Sequence, residues 1–475
     1  MALHPPSELR KTFRISIIDA IFAAAFGALA VPGSAFMTKL LMELGAGKMA
    51  FSLYSAIGPV CSIFLPVGVA ITKKMTARKS VVVWMTLVSR AMMIPLGIIP
   101  FIVEPDVALE LILLLLFIST LLATVASNAW TGWIADNVPG RVRGRFFSVR
   151  SQYSMIIGFI VGLLFSVFAD LYTDNAGPVA NWIKLHMFSQ GTFDNSDLFW
   201  VLLKIFAAGG IIGVAGCIVL YFQPESPKKA EHEPYLRMLV TPMRDKNFRR
   251  LLLYAIWWML ATGIGAQFWG PYMLDTLDMS LTEMQLYGMI STTSAVLAVR
   301  LWGKMIDMYG NKASMAFAIV LGGINPIIWV FASGPSTRWV VFFEAATSGF
   351  MWSGASLIWM NFVLSIAPDE KKQMFAGVFG AFAGVASMTS VLVSGYYMPI
   401  ENLHFLGLDL KPEQVLFGLG GVVRWTALIP LSFVHEPTSK SVFHVITRMQ
   451  QAATQHIVNI ISMVRGKNGD NGKRQ

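Results

Sequence analysis

The chain is short of charge. Only 13% of its 475 residues are Asp, Glu, Lys or Arg, against 55% hydrophobic residues, and the mean hydropathy is +0.60. A soluble protein of this size needs more charge to cover its surface. Cysteine is scarcer still. Cys61 and Cys217 both sit inside apolar runs and form neither a disulfide framework nor a CxxC metal site. They read as small packing residues. None of the seven histidines falls in the core of a predicted membrane segment, which argues against a histidine metal site or an intramembrane metalloprotease. There is no G-x-x-x-x-G-K-[ST] loop, which excludes an ATP-driven pump of that type, and no G-x-S-x-G elbow. The clustered acids or histidines that a membrane-embedded transferase would need at one membrane surface are missing too. No cofactor and no metal are expected, and the chain does not read as an enzyme.

What the sequence does have is long apolar runs. Residues 107–127 hold one acid, Glu110, and no base, while 205–222, 313–334 and 345–366 hold no charge at all. Runs of about 18 or more such residues cross hydrocarbon as helices, because in lipid each backbone polar group must be satisfied within its own segment. Twelve segments are expected, at 15–38, 49–71, 80–103, 107–134, 150–170, 198–222, 250–274, 282–305, 313–333, 337–366, 374–399 and 414–434. The N-terminal bases Arg10, Lys11 and Arg14 precede a run that contains Asp19 and lacks a small-residue cleavage site, so it reads as the first segment rather than a removed leader.

With both termini in the cytosol, the inner connections hold 28 of the 37 Lys and Arg, and the outer ones hold Lys39, Lys48, Lys184, Arg338 and Lys411. That asymmetry is the positive-inside signal. It accounts for the net charge of +10 without any nucleic-acid partner. An odd number of segments would break the alternation. The expected organisation is an all-α polytopic membrane protein in two pseudo-symmetric six-helix bundles, residues 1–222 and 250–434. A cytosolic linker at 223–249 and an amphipathic cytosolic tail at 435–475 complete it. The outer connection at 171–197 reads as a folded cap or loop. A shift of 229 residues superimposes Ala126, Ser127, Trp130, Pro139 and Phe146 on Ala355, Ser356, Trp359, Pro368 and Phe375, the trace of a parallel repeat.

The sharpest motif is Gly303-Lys304-Met305-Ile306-Asp307-Met308-Tyr309-Gly310-Asn311-Lys312, between segments eight and nine. It resembles the G-x-x-x-D-x-x-G-[RN]-[RK] loop of the major facilitator superfamily. Glycine at 303 allows close helix approach and Gly310 a tight turn, while Asp307 can face a neighbouring helix N-terminus. The resemblance makes Gly303, Asp307, Gly310 and Lys312 a cytosolic latch. The first-half equivalent keeps Gly68 and its bases but has Thr72 in place of the acid. Trp133-Ile134-Ala135-Asp136-Asn137-Val138-Pro139, followed by Arg143-Gly144-Arg145, is similar to the loop between segments four and five of that superfamily, with Asp136 a candidate partner for Arg143 or Arg145. Ser16-Ile17-Ile18-Asp19-Ala20 with Leu44-Gly45-Ala46 resembles uncharacterised bacterial members. Segment five lacks the proline and paired glycines of the drug antiporters, which argues against drug export.

Charges within lipid are costly and often functional. Glu344 and then Asp19 are the candidate proton-coupling groups, whereas Arg90 and Arg424 read as structural pairs. The superfamily lines its central cavity with segments one, four, seven and ten, among others. Thr124, Asn128, Thr131, Tyr254, Trp258, Gln267, Thr293, Ser348 and Trp352 are the cavity-lining candidates, with helix–helix hydrogen bonding and interfacial aromatics as the competing account. The resemblance implies a monomeric secondary transporter that moves a small organic solute by alternating access, with protons as the candidate coupling ion. It further implies the bacterial inner membrane. The competing reading is a non-transporting receptor or scaffold on the same fold, which predicts a cavity filled by side chains.

Overall fold

The computed structural model describes residues 6–189, 192–225, 235–368, 371–405 and 407–436. Among them, eleven helices are long and apolar enough to cross a membrane: Glu8–Glu43, Lys48–Thr72, Lys79–Leu96, Pro105–Ile134, Gly140–Asp170, Asn195–Tyr221, Lys246–Thr276, Asn311–Val330, Pro335–Ile366, Lys372–Tyr396 and Pro412–Ser432. A twelfth helix, Leu281–Tyr309, has the length at 29 residues. Gln285, the run Ser291-Thr292-Thr293-Ser294 and Arg300 lower its hydropathy, and polar residues in a spanning helix turn toward other helices or a cavity. The twelve follow the expected segments in order and are called spans 1 to 12, with Leu281–Tyr309 as span 8.

Spans 1 and 7 are not continuous, unlike the unbroken segments expected from the sequence. Helix Pro6–Ala30 stops at Pro32-Gly33, where Gly33 takes φ +96°, and the chain turns helical again at Ala35–Glu43. Ser34 caps the new start, its side chain accepting from Met37 N at 3.2 Å. Helix Lys246–Gly263 stops at Ile264-Gly265, where Gly265 takes φ +72°, and continues as a 3₁₀ turn Ala266–Phe268 and a π turn Tyr272–Thr276. Glycine is needed at both breaks because side chains clash in left-handed backbone. The breaks stand at equivalent places in the two halves of the chain.

Two large apolar cores hold the described residues together. One gathers Leu29, Phe36, Leu40, Leu116 and Phe206 from the first half and takes in Leu281 from the second. The other gathers Trp258, Trp302, Phe362 and Phe375 from the second half and takes in Val69 from the first. The halves touch along spans 2 and 11, where Gly384 brings its backbone so near that a Cβ would lie 2.5 Å from Pro59 O. The connection at 171–197 carries helix Pro178–Met187 and a turn at Asn195–Asp197. Between spans 11 and 12 a small antiparallel hairpin pairs Leu403 with Leu410. The linker contains helix Tyr235–Arg244. Residues 226–234 of the linker, and the expected amphipathic tail beyond Glu436, lie outside the described residues.

Candidate functional site

The two breaks face one cavity of about 550 Å³. Its walls come from both halves: Gly27, Pro32, Gly33, Ser34 and Thr38 of span 1 with Tyr54 and Ser55 on one side, Gln267, Trp269 and Met273 of span 7 with Gln285, Tyr287 and Gly288 of span 8 on the other. A broken helix exposes backbone polar groups that an intact helix keeps to itself, which is why such breaks build sites within membranes. The local fold fixes the polar groups. Tyr54 Oη accepts from Gly33 N at 2.5 Å and so holds the first break. Gln267 Nε2 donates to Val391 O and to Ser394 Oγ, both at 3.2 Å, and so ties the second break to span 11. Gln267 is 3% exposed, yet its Oε1 has no hydrogen-bond partner among the described residues.

Directly behind the cavity wall sits Glu344 on span 10, 3% exposed. Tyr287, a cavity residue, donates its hydroxyl proton to Glu344 Oε2 at 2.8 Å. Arg424 acts on the carboxylate electrostatically. The Arg424 guanidinium lies between spans 9, 12 and 7, donating to Gly322 O at 3.0 Å and Thr262 O at 3.4 Å. Tyr287 therefore links the cavity to a buried acid that makes no direct ion pair among the described residues.

Asp19 is placed differently. Arg150 on span 5 binds its Oδ2 at 3.0 Å and Arg90 on span 3 approaches Oδ1 to 3.9 Å. Arg90 donates to Gly213 O at 3.0 Å, and Arg150 lies over the Trp130 ring at 4.4 Å. A small cavity of about 260 Å³ opens beside these groups, lined also by Ser127. Asp19 is thus a paired charge tying three spans of the first half.

The two ends of the bundle are held by acids on helix N-termini, where exposed N–H groups and the helix dipole favour an anion. At the end opposite the start of span 1, Asp170 of span 5 is fully buried and accepts from Leu281 N and Thr282 N of span 8, both at 2.9 Å. Asn175 adds a hydrogen bond to Asp278 O. This clamp joins the first half to the second. At the other end, Glu225 accepts from Arg78 N at 2.5 Å and Lys79 N at 2.7 Å, at the start of span 3. Glu436 accepts from Asn311 N at 3.1 Å and Lys312 N at 2.7 Å, at the start of span 9.

These positions revise the latch expected from the sequence. The acid on the span 9 N-terminus is Glu436; Asp307 is exposed one turn away. Nothing lies within 4 Å of a Cβ built on Gly303, so close helix approach is not what it provides. Gly310 does make the turn, at φ +88°. Lys312 Nζ donates to Ser432 O at 2.6 Å and Val434 O at 2.9 Å. Arg143 reaches Val138 O at 3.1 Å, Arg145 is exposed, and the Asp136 side chain lies outside the described residues.

Of the cavity-lining candidates, Gln267 lines the broken-helix cavity, and Ser348, one turn after Glu344 on span 10, does not. Tyr254 and Trp258 do not line it: at 0% and 1% exposure they are packed in the second-half core. Thr124 and Thr131 spend their hydroxyls on Thr120 O and Ser127 O of their own helix. Asn128 stands against Gly68, Thr293 is exposed, and Trp352 tilts against Trp258 at 6.2 Å. Sequence reasoning missed Tyr287, Asp170, Glu225 and Glu436. The signals were there: span 8 is the least apolar span, Asp170 is a lone acid at a span end, and Pro224-Glu225 and Glu436-Pro437 each close a six-span half.

A bundle of twelve helices, two of them broken around a cavity shared by both halves, defines a polytopic helical membrane transporter. The profile of the Major Facilitator Superfamily matches residues 14–391, and the chain belongs to that superfamily. Solved structures agree on the fold. The nucleoside transporter NupG is similar at 11% identity with a TM-score of 0.63, over 90% of this chain and 98% of that one. An auto-inhibited POT family peptide transporter is similar at 11% identity and a TM-score of 0.65, over 92% and 98%. A bacterial homologue of the iron transporter ferroportin is similar at 12% identity and a TM-score of 0.58, over 90% and 98%. At these identities the likeness speaks for the fold alone. No functionally curated protein matches the chain. Membership implies a non-enzymatic transporter of a small molecule embedded in lipid.

Proposed function

We propose that the protein is a secondary transporter of a small organic solute, coupled to protons, working as a monomer in a bacterial inner membrane. The observation that carries this reading is the hydrogen bond from Tyr287, in the cavity wall, to the buried Glu344. Solute in the cavity meets Tyr287, and Tyr287 meets the acid. Loading the cavity and protonating Glu344 then act on one shared hydrogen bond, which is the coupling a symporter or antiporter needs. Asp19 is set aside for this role because two arginines already hold its charge. The two halves, residues 1–222 and 250–434, rock about the cavity. The basic connections lie in the cytosol, which makes the Asp170 clamp an outer seal. A receptor or scaffold on this fold predicts a filled cavity, and a cavity of about 550 Å³ speaks against it.

The test is Glu344→Gln in proteoliposomes, with a solute found by a thermal-stability screen, since ligands that bind the folded state raise its melting temperature. Wild-type protein accumulates the solute under a pH gradient. The variant equilibrates it without accumulation. Undiminished pH-driven accumulation by the variant would sink the proton role.

A further inference from the structure

We infer that the broken-helix cavity takes an uncharged, hydroxyl-bearing ring compound, with Gln267 Oε1 accepting one of its hydrogen-bond donors. The inference rests on the reading of that cavity as the transport site and narrows its substrate. Three observations carry it. First, among the described residues no Asp, Glu, Lys, Arg or His lines the cavity. Glu344 lies behind the wall, already engaged by the Tyr287 hydroxyl. A carboxylate, phosphate or ammonium entering here would give up water and meet no counter-charge, which is strongly unfavourable. A zwitterion would pay that cost twice.

Second, the polar equipment is neutral and has one unmet demand. The Gln267 carboxamide has its orientation fixed, because Nε2 is used on Val391 O and Ser394 Oγ. That leaves Oε1 as an acceptor, buried and unpartnered. A buried polar atom without a partner is costly and marks a place where a donor from outside belongs. A hydroxyl or a neutral N–H fits it. A purely apolar ligand leaves it unmet.

Third, one wall is aromatic. Trp269 lines the cavity and is held flat by Phe417, with ring centroids 3.9 Å apart and 5° between the planes. Trp329 packs edge-on at 4.6 Å and Tyr54 stands across the cavity. A rigid indole suits the face of a ring, while Gln267, Gln285 and Tyr287 suit its hydroxyl rim. A monosaccharide and a nucleoside both answer this description.

The experiment uses purified full-length protein in detergent and two matched pairs: D-glucose with D-glucuronate, and uridine with uridine 5′-monophosphate. Thermal shift and calorimetric titration read binding. At least one neutral member is expected to bind saturably, its charged counterpart more than about 100-fold more weakly. Gln267→Leu should weaken the neutral ligand about tenfold. Because Gln267 also ties the second break, a second variant is needed. Gly288 lines the cavity with open space around it, so Gly288→Leu fills the cavity without an internal clash and should abolish binding. The inference is overturned if a charged member binds as tightly as its neutral partner, or if neither neutral compound binds. If Gly288→Leu leaves binding intact, the cavity is not the transport site and the functional reading falls as well. If the plug abolishes binding but charge makes no difference, only the substrate class falls.

Discussion

Tyr287 and Glu344 show what a single polar residue in lipid can and cannot announce. Glu344 is visible in the sequence because a carboxylate within a spanning segment is expensive and rarely idle. Gln267 is visible for the same reason. Tyr287 is not, because tyrosine near a span end is ordinary at membrane interfaces. Tyr254 and Trp258 mislead in the opposite direction: a helical stripe of aromatics looks the same whether it faces a cavity or a packed neighbour, and these two are buried in a core. The Tyr287–Glu344 pair makes a residue-scale prediction. Tyr287→Phe removes the 2.8 Å hydrogen bond and should flatten the pH dependence of solute affinity, as Glu344→Gln does. The double variant should be no worse than the more damaged single one, because both changes delete the same interaction. Additive losses in titrations across pH would show that the two act separately.

At the scale of elements, the twelve helices were legible and the two breaks were not. Apolar length and the alternation of basic connections fix the number and order of spans, whereas glycine is common in membrane helices whether or not they break there. The breaks differ in what surrounds them. A Cβ at Gly265 would lie 3.1 Å from Leu416 Cβ, whereas one at Gly33 meets nothing within 4 Å. Both substitutions to alanine carry the strain of left-handed backbone, about 1–2 kcal/mol. Gly265→Ala adds a steric conflict with span 12. Its melting temperature should therefore fall further than that of Gly33→Ala, and equal losses would remove the packing argument. Glu225 and Glu436 were hidden for a related reason. An acid four residues beyond a span reads as solvent-facing charge until the fold brings a helix N-terminus to it.

At the scale of the whole molecule, the positive-inside count makes a topological prediction independent of any substrate. Cysteines replacing Lys228 and Trp182 should be labelled from opposite faces of the membrane; the native Cys61 and Cys217 are buried and give little background. Labelling of both on the same face would overturn the span alternation, and with it the assignment of the outer seal. The seal itself can be opened by choice. Asp170→Ala removes the acceptor of Leu281 N and Thr282 N, at a cost of about 1–3 kcal/mol. A cysteine at Ser280 should then react several-fold faster with a reagent added outside. An unchanged rate would mean that the clamp does not hold the halves together.

Because both oxygens of Asp170 accept from main-chain amides, the acid itself recognises the peptide rather than the side chains at 281 and 282. Side-chain changes at the two positions leave the hydrogen bonds themselves in place, although Leu281 also packs in the first-half core; proline removes a bond outright, since proline has no amide hydrogen to give.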